Sequence, residues 1–345
     1  MTLARDAERR EGATILEDAR RIIEPEYRAV VRHLPAEVSH IGGYHIGWWD
    51  AAGRPTTSSG KAIRPALTLT STAALADGTI ERHKDRVVAA AVSVELIHDF
   101  TQLHDDVMDG DRTRRHRMTA WAQFGVGPAI LTGDMFLASA LETLAQHDVA
   151  AVDILAQALR GLCEGQSADL AFEQRNSVDL DECIRMSECK TATLISASCA
   201  LGAWAAHADA SRATCLAAFG LHIGRAFQLV DDLLGVFGDP DSTGKPLYAD
   251  LIRRKKSLPV VAALNSDTVA GRRLSQRYAD TEPFAGDELA RLAQLIVDAG
   301  GKQWAEVAAR RSRIEAEKSL LAADPETSAA ADLLTLADLI LSRDH

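Results

Sequence analysis

Apolar positions recur along this chain every three or four residues over long stretches. Val87–His104, Ala129–Gln146, Leu216–Phe237 and Leu289–Ala299 all carry that spacing, which gathers their apolar side chains on one stripe of a helix. β-branched alternation bounded by turn residues is scarce, so no sheet of any size is expected. Gly and Pro collect at 42–60, 125–128 and 235–246, which read as loops. No stretch has the composition of a flexible linker. The pattern predicts an all-α fold in one domain over 1–345, built around a single bundle, with a helical N-terminal region over 1–40 and a Gly-rich loop over 41–60.

Composition narrows the class. Of 345 residues, 47% are hydrophobic and 25% charged, which excludes a disordered or low-complexity chain. With 38 basic against 49 acidic side chains the net charge is −11, a poor match for nucleic acid or anionic lipid. The apolar stretch 194–208 is too short to span a membrane and is diluted by Ser, Cys and His. The N-terminus mixes both charge signs without an apolar signal core, so a cytoplasmic protein with no integral membrane segment is expected. Cys163, Cys183, Cys189, Cys199 and Cys215 are odd in number and lack CxxC spacing, which supports neither a disulfide framework nor a zinc site.

Two acidic clusters stand at the ends of long apolar helices, DDVMD at 105–109 and DDLLG at 231–235, their first aspartates 126 positions apart. Asp105 and Asp109 are four apart and share a helix face, where they repel one another at the negative end of the helix dipole. A hard divalent cation removes that cost, and Mg²⁺ shares its shell readily with substrate phosphates. A solvated helix end explains one such cluster about as well. Two of them, convergent within a bundle, point to more than one metal on a polyanionic ligand. Gln228, three residues before Asp231, neighbours it on the helix surface.

Positive charge accompanies both clusters. RTRRHR at 112–117 follows the first, RRKK at 253–256 follows the second, Lys245 lies in the loop between, and Lys61 and Arg64 sit in GKAIRP. Each patch alone reads as a solvated surface. Together, in an acidic chain, they suit a diphosphate, with arginine forks for bidentate contact and lysines as point charges. The GDPDSTGKP segment is not a phosphate-binding P-loop: five residues separate Gly238 from Gly244, and Pro246 follows the lysine.

In this order, GKAIRP (60–65), ELIHDFTQLHDDVMD (95–109) with Arg114–Arg115, Gly133–Asp134, GQSADL (165–170), KTATL (190–194), FQLVDDLLG (227–235) and GKPLYADLIRRKKSLP (244–259) resemble the trans-isoprenyl diphosphate synthases. The resemblance implies an all-α bundle with a deep central cavity, usually a homodimer, binding about three Mg²⁺ ions. It implies condensation of isopentenyl diphosphate with an allylic diphosphate through ionisation, attack and proton loss. Asp105, Asp109 and Asp231 would bind metal, with Asp106 and Asp232 as the further candidates in the two clusters. Arg114, Lys190, Lys245 and Lys255 would hold the allylic diphosphate, and Lys61, Arg64, His98 and Arg115 isopentenyl diphosphate. Thr191 and Gln228 would offer oxygen dipoles to the developing cation, beside Lys190.

Three positions depart from the family pattern. Gly235 stands where a third aspartate is common, with Asp239 a candidate substitute if the helix continues. His116 stands where Gly is usual, and Ala62 where a basic residue is frequent. Bulky Phe100 followed by small Thr101, five and four residues before Asp105, resembles synthases that make a C20 product, geranylgeranyl diphosphate. Farnesyl diphosphate (C15) is the alternative. A class I terpene cyclase would need NDxxSxxxE at the second cluster, and a non-catalytic partner subunit has only Gly235 in its favour. The segment Tyr44–Asp50 (YHIGWWD) reads as a packed loop with no assigned function.

Overall fold

The computed structural model describes residues 10–56, 60–76, 78–240, 246–280 and 282–342. The all-α expectation holds. The helices are α1 Gly12–His33, α2 Ala36–Ile46, α3 Ile63–Leu75, α4 Lys84–Met108, α5 Ala120–Phe124, α6 Val126–Ala145, α7 Val149–Glu173, α8 Leu180–Ser187, α9 Thr193–Ala205 and α10 Ala210–Phe237. They continue with α11 Ala249–Ile252, α12 Leu258–Leu264, α13 Val269–Ala279, α14 Asp287–Asp298, α15 Gly301–Ala322 and α16 Thr327–Leu341. Among the described residues the only sheet is a two-stranded hairpin, β1 Thr113–Arg114 with β2 Arg117–Met118. By length and mean hydropathy α10 could cross a membrane, but its last turns carry Gln228, Asp231 and Asp232.

The described residues form two compact units. The first takes in Met1–Gln157, Ala197–Leu216 and Ala323–Leu336. Its centre is α4 against α6, whose close approach depends on Gly133. A Cβ there would lie 2.5 Å from the His104 ring and 3.4 Å from Phe100. Ser93 donates to the Ala140 carbonyl across the same pair at 3.0 Å.

Residues 41–46 are helical, where the glycines suggest a loop. Gly42 and Gly43 lie inside α2 because neighbouring rings occupy the space of their side chains. A Cβ on Gly42 would come within 2.7 Å of Phe136, and one on Gly43 within 1.9 Å of Trp49. Likewise Gly127 and Pro128 fall in the first turn of α6, a position that proline tolerates.

The second unit takes in Ala158–Ser196, Ala217–Ala322 and Ala337–His345. A capping box between Asp179 and Glu182 starts α8. One π-helical turn, Glu188–Ala192, then precedes α9. Glycines let the neighbouring helices close on that turn: a Cβ on Gly165 would lie 2.4 Å from the Lys190 nitrogen, and one on Gly224 2.5 Å from Ala192 Cα. Phe172, Cys183, Met186, Leu229, Leu258 and Val261 belong to one buried cluster of this unit.

Candidate active site

In the first unit, Asp105 and Asp106 lie in the last turn of α4 and Asp109 caps it. Asp105 is half-buried, Asp106 buried and Asp109 exposed. The hairpin returns Arg114 to this helix end, where its Nε and Nη2 donate to Asp106 Oδ1 at 2.8 and 2.7 Å. Burial opposes the charge on Arg114, but Asp106, Asp105 and Asp111 outweigh it and hold the guanidinium more firmly protonated than usual. Asp106 is thereby committed to Arg114.

Arg64 opens α3 half-buried, just after Ala62, which takes a left-handed backbone at φ 54°. Lys61 and Arg115 are exposed. Burial, then Arg64 and Arg115, pushes the His98 imidazole well below its ordinary range, so it stays neutral. Gln102 approaches His98 Nε2 at 2.8 Å, and with the amide nitrogen donating, the ring proton resides on Nδ1. His98 can thus donate a hydrogen bond to an anion without adding charge.

Polar residues missed in the sequence surround these. Glu95 and Asp99 interrupt the apolar stripe of α4 one turn apart. Burial and the neighbouring Asp99 carboxylate push Glu95 up to about 7, against the pull of Arg64, Arg115 and Arg20. Asp99 is buried, accepts the Tyr27 hydroxyl and lies 3.5 Å from His45 Nε2. Their signal was present as polar positions at helical spacing inside an apolar run. Phe100 is buried with its ring 4.6 Å from His104, and Thr101 donates to the His98 carbonyl.

In the second unit one hydrogen-bonded chain joins the predicted residues. The Thr191 hydroxyl donates to Gln228 Oε1 at 2.7 Å, and the Gln228 amide donates to Asp232 Oδ1 at 2.8 Å. Asp232 Oδ2 accepts the Leu258 backbone N–H at 2.8 Å, and Lys255 Nζ stands 3.6 Å from Oδ1. Burial pushes Asp232 up to about 6 while Lys255 pulls it down. Lys255 is held well above its usual range, as Asp232, Asp250, Asp231 and Asp169 outweigh its burial. Lys190 projects from the π turn and pairs with Asp169 at 2.6 Å. Such turns often mark functional sites because they reorient side chains within a helix.

The remaining basic residues divide clearly. Arg254 donates to the carbonyls of Tyr278 and Glu282 and covers Phe284 at 4.1 Å, and Lys256 donates to the Phe172 carbonyl. Both are structural, which leaves Lys255 facing carboxylates. Lys245 lies outside the described residues. Asp239 lies beyond the end of α10 at Phe237, so it does not extend the helix face of Asp231.

No group of three or more His, Cys, Asp or Glu among the described residues could hold a metal alone. Hard carboxylates supplied one or two at a time still fit a cation that completes its shell with phosphate oxygens and water.

This all-α fold with its paired aspartate motifs defines a trans-isoprenyl diphosphate synthase. A profile of polyprenyl synthetases matches residues 48–303, and the chain belongs to that family, whose members are prenyltransferases. It is 44% identical over 333 residues to a (2E,6E)-farnesyl diphosphate synthase of Mycobacterium tuberculosis, covering 94% of this chain and 91% of that one. It is 39% identical over 340 residues to a geranylgeranyl diphosphate synthase of the same organism, covering 96% and 94%. The crystal structure of a polyprenyl synthetase from Streptomyces coelicolor A3(2) superposes with a TM-score of 0.89 at 40% identity, covering 95% of this chain and 99% of that one.

Proposed function

We propose that this protein is a short-chain trans-prenyl synthase that condenses isopentenyl diphosphate with an allylic diphosphate to give geranylgeranyl diphosphate. Asp105, Asp109 and Asp231 bind Mg²⁺, which when present supplies positive charge to the departing diphosphate. Both Asp232 oxygens are engaged within the protein, so its part is to anchor Gln228 and Lys255 rather than to contact a metal directly. Arg114, Lys190, Lys245 and Lys255 hold the allylic diphosphate. Lys61, Arg64, His98 and Arg115 hold isopentenyl diphosphate. By family expectation it acts as a cytoplasmic homodimer.

The observation that carries this reading is the chain Asp232–Gln228–Thr191. A buried carboxylate accepts from an amide whose oxygen accepts from a hydroxyl, so electron density is relayed toward the Thr191 oxygen. Fixed dipoles of that sign stabilise an allylic cation without offering it a nucleophilic anion. Lys190 and Lys255 are already fixed by carboxylates, which lowers the ordering cost of gripping a diphosphate.

A C15 product is the second reading, favoured by the 44% identity to a farnesyl diphosphate synthase. Incubating the purified protein with Mg²⁺, isopentenyl diphosphate and dimethylallyl, geranyl or farnesyl diphosphate tests both. Diphosphates ending at C20 support the first, those ending at C15 the second. Released hydrocarbons, or no condensation at all, overturn the synthase reading.

A further inference from the structure

The segment Tyr44–Asp50 takes part in none of the assignments above, yet its first three residues line a hollow together with Arg114, Arg115 and Arg117. Tyr44 steadies the hairpin side of that hollow. Its hydroxyl donates to the Met118 carbonyl at 2.7 Å, and its ring carries the Arg117 guanidinium at 4.4 Å. His45 forms another part of the wall. Its side chain is only 5% exposed, and Nε2 stands 3.5 Å from Asp99 Oδ1 with no hydrogen-bond partner. Asp99 is fixed in turn by the Tyr27 hydroxyl, and the Tyr27 ring packs edge-on against Trp48 at 5.2 Å.

The charges around the hollow have one sense. Three guanidiniums line it, and its one carboxylate, Asp106, is already paired with Arg114. Such a site takes a small polyanion. A histidine backed by a buried carboxylate is held in one orientation by it, with its ring presented to the hollow it lines. Asp99 directly follows His98, so the residue that backs His45 is adjacent in sequence to a residue assigned to isopentenyl diphosphate.

We infer that His45 is a further anion-binding residue for isopentenyl diphosphate, contacting its diphosphate within the hollow it shares with the hairpin arginines, and that Asp99 is the positioning residue that orients it. This rests on the assignment of Lys61, Arg64, His98 and Arg115 to the same substrate. The YHIGWWD segment is therefore part of the substrate site, and the two tryptophans support it: Trp48 against Tyr27, and Trp49 through its Nε1 donating to the His40 carbonyl.

The test is calorimetric titration of isopentenyl diphosphate into the full chain, with steady-state kinetics in parallel. Wild type is expected to bind, and absence of binding would sink the underlying site assignment rather than this extension of it. His45→Gln should weaken isopentenyl diphosphate about tenfold in Kd and KM while KM for the allylic diphosphate stays within twofold. His45→Lys should recover most of the loss, because an ammonium at that wall can also meet the diphosphate. Asp99→Asn should shift Kd in the same direction by a smaller factor, with kcat nearly unchanged. An unchanged Kd in His45→Gln, an equal loss for both substrates, or no recovery in His45→Lys overturns the proposal. Should His45→Gln fail to fold, His45→Lys and Asp99→Asn decide it by the same criteria.

Discussion

The carboxylate of Asp250 occupies the space that a side chain at Gly235 would need. A Cβ on Gly235 would lie 2.5 Å from Asp250 Cγ and 2.6 Å from its Oδ1. Gly235 is one turn beyond Asp231 on α10, where the family commonly has its third aspartate. Here a carboxylate from the start of α11 stands against that face, and Lys255 lies in its field. Gly235→Asp should therefore injure the protein rather than complete its motif. Overpacking of this kind costs about 1–3 kcal/mol, and two close carboxylates add to it. Thermal melts of Gly235→Asp, Asp250→Ala and the double variant form a cycle in which Asp250→Ala should restore most of what Gly235→Asp loses. Additive losses would refute the steric account.

Substituting the assigned metal ligands should abolish turnover without unfolding the chain. Asp105→Ala and Asp231→Ala remove carboxylates from helix ends where like charges already repel, so neither variant should melt appreciably lower. Each should lower kcat at least about a hundredfold, the scale of losing a transition-state charge stabiliser. Turnover near wild type in either would remove that cluster from the mechanism. Added chelator should silence wild type reversibly on the same account.

The helices, and the order of the motifs along them, were legible in the sequence because apolar periodicity and residue spacing are local properties. What escaped was set by partners distant in the chain. Gly42 and Gly43 look like turn residues until Phe136 and Trp49 are placed beside them. Gly235 reads as a missing aspartate until Asp250 appears against it. Asp232 sits beside Asp231 in one motif, and the hydrogen bonds it accepts from Gln228 and Leu258 come from partners that the motif alone does not display. The hollow beside His45 joins α2 to the hairpin, and no local pattern announces such a pairing.

Phe100 bears on product length. It is buried one turn before Asp105, against His104 and close to Gly133. Phe100→Ala should shift the products toward longer chains, resolved by chromatography of the dephosphorylated alcohols. Removing a buried ring of this size costs about 3–5 kcal/mol, so the assay belongs below the lowered melting temperature. An unchanged product distribution would exclude Phe100 as the residue that limits chain growth.

Glu95 should make stability depend on pH. Its folded carboxyl titrates at about 7, above the ordinary value of 4.5, because burial and Asp99 disfavour the anion. The folded state then binds the proton more tightly than the unfolded one. Its contribution to stability is present below about pH 4.5, declines as pH rises through that interval, and is gone above about pH 7. Glu95→Gln removes the titration, so it should melt higher than wild type at pH 8 and closer to it at pH 4.5. A difference in melting temperature that does not grow with pH would rule this out.

The hairpin that delivers Arg114 turns through Arg115 and His116, both with left-handed backbones at φ 50° and 61°. With Arg114 paired to Arg117, the connection has two residues, and such turns favour glycine or asparagine where φ is positive. Forcing an L-residue into that region costs about 1–2 kcal/mol, which His116 accepts where the family usually has Gly. His116→Gly should therefore firm up the hairpin by about 0.5–1 kcal/mol, since relief of strain outweighs the added freedom of the open chain. Hairpin opening is local, so the global melting temperature is a poor gauge of it. Amide hydrogen exchange over Thr113–Met118 should instead slow about two- to fivefold, which is that free energy expressed as an opening constant. Exchange that stays the same or quickens would mean that the left-handed turn carries no strain in this protein.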